Sequence, residues 1–313
     1  MNAPTLDLIN QKYVSRTPQM VDCGMRVTAA ERGRGTMTMP ARADWVGDPV
    51  RNVLHPGALT VLADSACGLA VMSALPQRLP IATLDLRMDW LRPASPGQDI
   101  HCEAHCYRLA RSVAFVDAEV WQDDRSQPIA MARATFMLST PAGHRPGTGA
   151  PPPPAPASSW QPPAASETVQ AGRPIPYADY LGIRVAPGVS AAAAPLYRLP
   201  YHEKLIGNPR LPALHGGVVA GFAETAAMLH LAQALQGAKL QKLPKGVDFA
   251  VDYLRAARPV ETFAQCELVR VGARVALVQV RCWQSGPDNP IINARGHFVL
   301  AAVGGAEGGD APR

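Results

Sequence analysis

Two acidic residues stand alone in apolar stretches of the sequence, each at the same distance from a histidine. Asp64 lies nine residues after His55 in LHPGALTVLADSACGLAV, and Glu224 lies nine residues after His215 in LHGGVVAGFAETAAMLHL. Neither acid has a Lys or Arg three or four residues away, so neither forms a helical ion pair. Unpaired carboxylates in apolar surroundings are unfavourable and are most often tolerated at functional sites. The two acids are therefore candidates for acid–base chemistry.

The residues directly after each histidine suit a second chemical task. In the second stretch these are Gly216 and Gly217, and glycines at the start of a helix let a substrate approach the backbone. The unpaired N–H groups and the positive end of the helix dipole there stabilise a developing oxyanion. A helix start that can stabilise an oxyanion, combined with an acid nine residues after the histidine in both copies, indicates a functional site.

The elements that must position these residues follow from hydrophobic patterning. Residues 56 to about 75 and 216 to about 235 are apolar on nearly every face, which predicts two fully buried helices. After each helix come alternating runs such as TLDLRMDWL and GVDFAVDYL, which predict half-buried antiparallel strands. The predicted fold class is α+β, with each sheet folded around one long central helix.

The two halves of the chain repeat each other. A shift of about 160 residues aligns the two histidine motifs, and slightly larger shifts align MDWLRPA with VDYLRAA and PIAMARATFML with PIINARGHFVL. Between the copies lies a stretch rich in Pro, Ala, Gly and Ser that behaves as an extended linker. The predicted organisation is a tandem of two similar domains: 1–140, a linker 141–176, 177–303, and a disordered tail 304–313.

Composition excludes several classes of function. The net charge is +5, but no two Lys or Arg residues are adjacent, which argues against a nucleic-acid partner. The N-terminus has no apolar core of signal-peptide length, and no stretch of about 20 residues is free of charge and apolar enough to span a bilayer. None of the six cysteines forms a C-x-x-C pair. We expect a reduced, cytoplasmic protein that does not associate with membranes.

The stretch GNPRLPALHGGVVAGFAETAAMLH resembles the hotdog-fold thioesterases, in particular the phenylacetate-pathway-like acyl-CoA thioesterase branch, and LHPGALTVLADSACGLA is a variant of the same motif. The resemblance covers both halves without the linker and the ends. It implies a curved antiparallel sheet around each central helix, with two hotdogs paired face to face. It also implies an acyl-CoA substrate, no cofactor beyond the coenzyme A of that substrate, and a homodimer of double-hotdog chains.

In the family this resemblance names, the helix start of one hotdog polarises the thioester carbonyl, and the acid of the other serves as general base or nucleophile. Carried over by position, one composite site combines Asp64 with the turn His215–Gly217. The other combines Glu224 with the turn His55–Gly57. Sequence leaves open whether the acid is the base or the nucleophile.

The two composite sites are not equivalent. Pro56 has no N–H and cannot donate the hydrogen bond available from Gly216, although proline is structurally comfortable at a first helical position. Thr83 could hold the attacking water beside Asp64, whereas its counterpart near Gly246 has no side chain. The first site is predicted to be complete and the second degraded. Weaker candidates for substrate contacts are Asn208, its counterpart Asp48, and the repeated Arg92 and Arg255.

Three alternatives compete with thioester hydrolysis. HCEAHC suggests a metal site, but a strand would place residues 101, 103 and 105 on one face and the cysteines on the other, so no metal is expected. A hotdog enoyl-CoA hydratase carries a motif like D-x-N-P-x-H, but in GNPRLPALH the histidine follows the proline by six residues. A non-catalytic acyl-CoA-binding protein is compatible with one damaged site.

Overall fold

The fold is described from a computed structural model of the chain. It describes residues 5–138, 167–168, 175–186, 194–208, 212–235 and 243–300. Most of the linker expected at 141–176 and all of the tail expected at 304–313 lie outside the described residues.

Five α-helices are present in the described part of the chain: α1 Leu6–Ile9, α2 Pro18–Asp22, α3 Pro56–Ala74, α4 Pro176–Leu181 and α5 Gly216–Leu235. A short π-helix at Asn10–Val14 and 3₁₀ turns at Ala43–Trp45 and Glu203–Leu205 complete the helical elements. The two long helices match the predicted ranges to within one residue. Helix α3 ends because Leu75 precedes a proline and adopts the extended conformation that proline favours in its predecessor.

The strands of the first half are β1 Arg26–Glu31, β2 Arg34–Met39, β3 Val46–Asp48, β4 Val53–Leu54, β5 Ile81–Trp90, β6 Ile100–Leu109, β7 Val113–Trp121 and β8 Ala130–Leu138. A short strand β9, Glu167–Thr168, follows. Those of the second half are β10 Arg184–Ala186, β11 Leu196–Leu199, β12 Ile206–Asn208, β13 Ala213–Leu214, β14 Lys245–Tyr253, β15 Thr262–Val271, β16 Val275–Trp283 and β17 Pro290–Val299.

One continuous antiparallel sheet joins the two halves. Its strand order is β1-β2-β6-β7-β8-β5-β14-β17-β16-β15-β11-β10-β9, so the second half repeats the order of the first in reverse. The halves meet where β5 pairs with β14, with Leu86 opposite Val251. This pseudo-twofold pairing of two curved half-sheets, each around one helix, is the double hotdog that the resemblance implies.

Helices α3 and α5 cross closely in the middle of the molecule. A methyl group built on Gly57 would lie 2.8 Å from the Cα of Gly221, and one built on Gly217 would lie 2.7 Å from the Cα of Val61. Only glycine allows two helix backbones to approach this closely. The crossing places the first turn of each helix beside the acid-bearing turn of the other.

Both central helices are long and apolar enough, by length and composition, to cross a membrane. The sequence prediction required a stretch both free of charge and apolar enough; each helix carries one acid, Asp64 or Glu224, but is otherwise apolar enough to pass a test of length and composition. Within the protein, 89% of the apolar window in α3 and 78% of that in α5 are buried. Fully buried core helices and membrane helices share this composition, since both lack a polar face. All six cysteines are buried free thiols.

Candidate active site

The first composite site forms where the start of α5 meets Asp64 of α3. The backbone N–H of Gly217 donates a hydrogen bond of 2.8 Å to Asp64 Oδ2, across the interface between the two halves. Only 7% of Asp64 is exposed. A buried carboxylate is thus held at a helix N-terminus, where the positive end of the dipole favours negative charge. The structure brings together the acid and the helix start that the sequence paired.

His215 caps α5 and links the two halves. Its Nδ1 accepts a hydrogen bond from Gly217 N–H at 3.1 Å, and its Nε2 lies 3.0 Å from the hydroxyl of Ser65. A methyl group on Gly207 would lie 2.5 Å from the Cα of His215, and Gly47 stands in the same relation to His55. This explains the glycine repeated in both halves, since any larger residue would displace the histidine. Burial lowers the pKa of His215, opposed by the Asp64 carboxylate nearby.

Thr83 reaches the acid because strand β5 contains a bulge. The hydroxyl of Thr83 donates to Asp64 Oδ1 at 3.0 Å. The register of β5 against β8 shifts between Thr83 and Asp85. One extra residue in a strand reverses which side chains face the core, so Thr83 faces Asp64 and, later in the strand, Leu86 is also buried. Both oxygens of Asp64 therefore accept hydrogen bonds, one from each half of the molecule.

Gly216 presents the open amide of this site. In the described chain its N–H has no acceptor, whereas the N–H of Gly217 is shared between Asp64 and His215. A methyl group built on Gly216 would lie 3.0 Å from Asp64 Oδ2, so the carboxylate lies directly against this residue. Tyr253 donates its hydroxyl to the carbonyl oxygen of Gly216 at 3.0 Å and fixes the turn. An unoccupied donor at the start of a helix can stabilise a developing oxyanion, and here a carboxylate lies beside it.

The second composite site has a different geometry. Glu224 is fully buried, and its Oε1 accepts a hydrogen bond from the indole N–H of Trp90 at 3.0 Å. Its Oε2 has no partner within the described residues. Gly57 N–H donates to His55 Nδ1 at 3.0 Å, and Pro56 has no N–H to offer. In the second site the acid is therefore hydrogen-bonded to an indole, and the open amide that Gly216 provides in the first site is missing.

Two aromatic side chains close the second site. A methyl group on Gly246, the counterpart of Thr83, would lie 3.0 Å from Cδ1 of Trp90, so the indole occupies the space of the missing hydroxyl. Tyr177 of α4 stacks on the ring of His55 with centroids 4.5 Å apart. Burial lowers the pKa of His55 to about 3, so this histidine is neutral. The enclosure explains why Glu224 is shielded from solvent.

The buried Glu224 predicts a pH-dependent loss of stability. Burial raises its pKa to about 8, against an ordinary value of 4.5, so between these pH values the folded protein binds a proton that the unfolded chain releases. The free energy of unfolding therefore falls as the pH rises, by up to roughly 1.4 kcal/mol per pH unit for this group. Glu224→Gln cannot ionise and removes this contribution.

Urea unfolding of both proteins at pH 5 and pH 8 measures the effect. We subtract the free energy of unfolding of the wild type from that of Glu224→Gln at each pH. This difference should be more positive at pH 8 than at pH 5. His55 is present in both proteins, so its own titration cancels in the comparison. A stability difference between the two proteins that is the same at both pH values would show that Glu224 does not carry this proton.

The profile of the Thioesterase superfamily matches residues 51–129 and 211–291 of this chain. The chain belongs to the Thioesterase superfamily. Each match begins just before a central helix and runs through the strands that follow it. The family's domain is therefore matched once in each half of the thioesterase.

The thioesterase is also similar to three known proteins. It is 27% identical over 146 residues to the medium/long-chain acyl-CoA thioesterase YigI of Escherichia coli, a match that covers 42% of this chain and 93% of the relative. It is 34% identical over 136 residues to a putative esterase of Halobacterium salinarum, covering 41% and 89%. A hot dog fold protein from Alicyclobacillus acidocaldarius has a TM-score of 0.60 at 15% identity, covering 88% and 96%. The two curated relatives correspond in length to one half of the thioesterase, and the solved structure to the whole double hotdog.

The weaker candidates for substrate contacts have structural partners in the thioesterase. Asp48 is buried and accepts hydrogen bonds from the backbone and guanidinium of Arg51, so its carboxylate stabilises its own turn. Asn208 ends strand β12 with an exposed side chain. Arg92 and Arg255 each donate to the carbonyl oxygen of an equivalent proline, at 3.2 and 2.6 Å. Their repetition is explained by this contact, which recurs just after β5 and just after β14.

Several residues of the candidate site in the thioesterase could not be recognised from the sequence. Trp90 and Tyr253 end the repeated motifs MDW and VDY, which read as ordinary core positions. Ser65 follows Asp64 directly and is one of many small residues in the helix. Tyr13 donates its hydroxyl to the carbonyl oxygen of Ser65 at 2.7 Å, from a segment far away in the chain. One difference between the aligned copies could have indicated these residues. Trp90 and Tyr253 occupy equivalent positions, but their side chains differ in hydrogen-bonding capacity.

Proposed function

We propose that this thioester hydrolase acts on acyl-CoA at one composite site, in which Asp64 of the first half works with Gly216 of the second. The observation that carries the proposal is the open N–H of Gly216, which lies against a buried carboxylate, while its counterpart Pro56 has no N–H. The relative in Escherichia coli is named for medium- and long-chain acyl-CoA, and these are the substrates we propose for this chain.

In the proposed reaction, Asp64 accepts a proton from a water molecule that attacks the thioester carbonyl carbon. The carbonyl oxygen becomes an anion and accepts the hydrogen bond from Gly216 N–H at the start of α5. The tetrahedral intermediate then collapses, the carbon–sulfur bond breaks, and the CoA thiolate takes the proton from Asp64. We assign Asp64 the base role because hydrogen bonds from Thr83 and Gly217 hold both of its oxygens in place. A carboxylate held in this way can take a proton from water without moving to form a bond with the carbonyl carbon.

Thiol release from a panel of short-, medium-, long-chain and aryl-CoA esters tests the activity. We expect turnover with the medium- or long-chain members. Acyl-CoA binding without thiol release would replace this proposal with a non-catalytic binding protein. Addition of water to an enoyl-CoA without release of CoA would replace it with a hydratase.

Thr83 provides a graded test of the same site. Thr83→Val removes the hydroxyl that donates to Asp64 Oδ1 while it keeps the branched shape. A hydrogen bond to a charged group contributes about 1.5–3 kcal/mol, so we expect kcat to fall by roughly ten- to a hundredfold. Thr83→Ser restores the donor and should recover most of the activity. A valine variant as active as the wild type would remove Thr83 from the mechanism.

A further inference from the structure

The hydroxyl of Ser65 lies between the two halves of the active site. It donates a hydrogen bond of 2.8 Å to the carbonyl oxygen of Val61, one turn earlier in α3. When its single proton is used there, its oxygen is left to accept from Nε2 of His215, 3.0 Å away. Ser65 is 2% exposed, so water cannot replace either contact readily. In this arrangement Nε2 carries the proton and donates it to the Ser65 oxygen.

The contact at Nδ1, the other ring nitrogen of His215, requires that this nitrogen be unprotonated. Nδ1 accepts from the N–H of Gly217 at 3.1 Å, so it must carry a lone pair. A neutral imidazole has one N–H, and the partner of one nitrogen determines the state of the other. The contacts on its two sides therefore select the same tautomer. Nδ1 also lies 3.4 Å from Asp64 Oδ2, so the tautomer decides whether this carboxylate faces a lone pair or a proton.

We propose that Ser65 is a positioning residue that fixes His215 as the Nε2–H tautomer, which keeps a proton away from Asp64 and leaves the turn at Gly217 in its productive position. The role rests on the proposed function of the Asp64 site. In the opposite tautomer, the Nδ1 proton would donate to Asp64 Oδ2 and clash with the N–H of Gly217. The acid would then be a poorer base, and the turn that presents Gly216 would shift.

The second half retains the same device. Thr225 follows Glu224 as Ser65 follows Asp64, and its hydroxyl donates to the carbonyl oxygen of Gly221 at 2.6 Å. The same hydroxyl lies 3.4 Å from Nε2 of His55. The chain thus supplies a matched control, because threonine already performs this contact in the equivalent place.

Nitrogen-15 NMR of the histidine side chains in the intact protein measures the tautomer directly, with the His215 signals assigned by their loss in His215→Asn. In the wild type we expect a protonated Nε2 and an unprotonated Nδ1. In Ser65→Ala we expect the Nδ1–H form to appear and kcat to fall by about ten- to a hundredfold, with KM little changed. Ser65→Thr should restore both the signature and the rate.

Two results would overturn the proposal. One is a wild-type spectrum that shows Nδ1–H, which decides the matter even if Ser65→Ala does not fold. The other is a Ser65→Ala protein that loses activity while it keeps the Nε2–H signature, since this indicates a packing role alone. Because the spectrum needs no substrate, it separates failure of this proposal from failure of the thioesterase activity.

Discussion

Gly216→Pro is expected to lower kcat for thioester hydrolysis by about 10²- to 10³-fold, the effect typical of removing one oxyanion donor. The change gives position 216 the same residue that the equivalent position of the first half, Pro56, already has. Proline fits the first turn of a helix, as α3 demonstrates, and the carbonyl oxygen that accepts from Tyr253 is retained. The fold should therefore persist while the open N–H disappears.

Gly216→Ala is the matched control for this variant. Both substitutions place a Cβ about 3.0 Å from Asp64 Oδ2, so both carry the same crowding of the carboxylate, but alanine keeps the N–H. Activity should therefore be much lower in the proline variant than in the alanine variant, with similar melting temperatures. Equal activity in the two would mean that Gly217, whose N–H already serves Asp64 and His215, provides the oxyanion contact instead.

Asp64→Asn is expected to lower kcat by about 10³-fold, within the range for loss of a general base. The amide has nearly the same shape and can still accept the hydrogen bond from Gly217 N–H, while the hydroxyl of Thr83 can turn to accept from the amide nitrogen. The site should therefore stay assembled and bind acyl-CoA, but it can no longer take a proton from water.

Binding and kinetics together check this expectation. The dissociation constant for a non-hydrolysable thioether analogue of acyl-CoA should stay within a few fold of the wild-type value, while single-turnover thiol release slows by the full factor. Loss of binding in parallel with loss of rate would show that Asp64 holds the substrate and does not act as the base.

The two central helices could be predicted from the sequence because their signals are strong and local. Helix α3 begins at a proline and ends before another, and it is apolar on every face between them. The repeated motifs then indicate that the two halves share one fold, whereas the order of the strands in the sheet comes from the structure. The pairing of Asp64 with His215 and its glycines came from family resemblance, since no local pattern places residues from opposite halves of the chain in contact.

The state of the individual amides could not be predicted in this way. Whether Gly216 or Gly217 keeps a free N–H depends on how closely α3 and α5 cross, which is set by contacts between Gly217 and Val61. Trp90 was equally hidden, because a tryptophan that ends a buried strand normally belongs to the core. The missing side chain at Gly246 leaves the space that the indole fills, and this is visible only in three dimensions.

The most direct test of a single working site compares thiol release by Asp64→Asn and Glu224→Gln on the same acyl-CoA panel. Each variant replaces one of the two repeated acids with an amide of nearly the same size. The account predicts that Asp64→Asn loses nearly all activity and that Glu224→Gln keeps a rate close to that of the wild type. Equal losses in both variants, or a larger loss in Glu224→Gln, would contradict it.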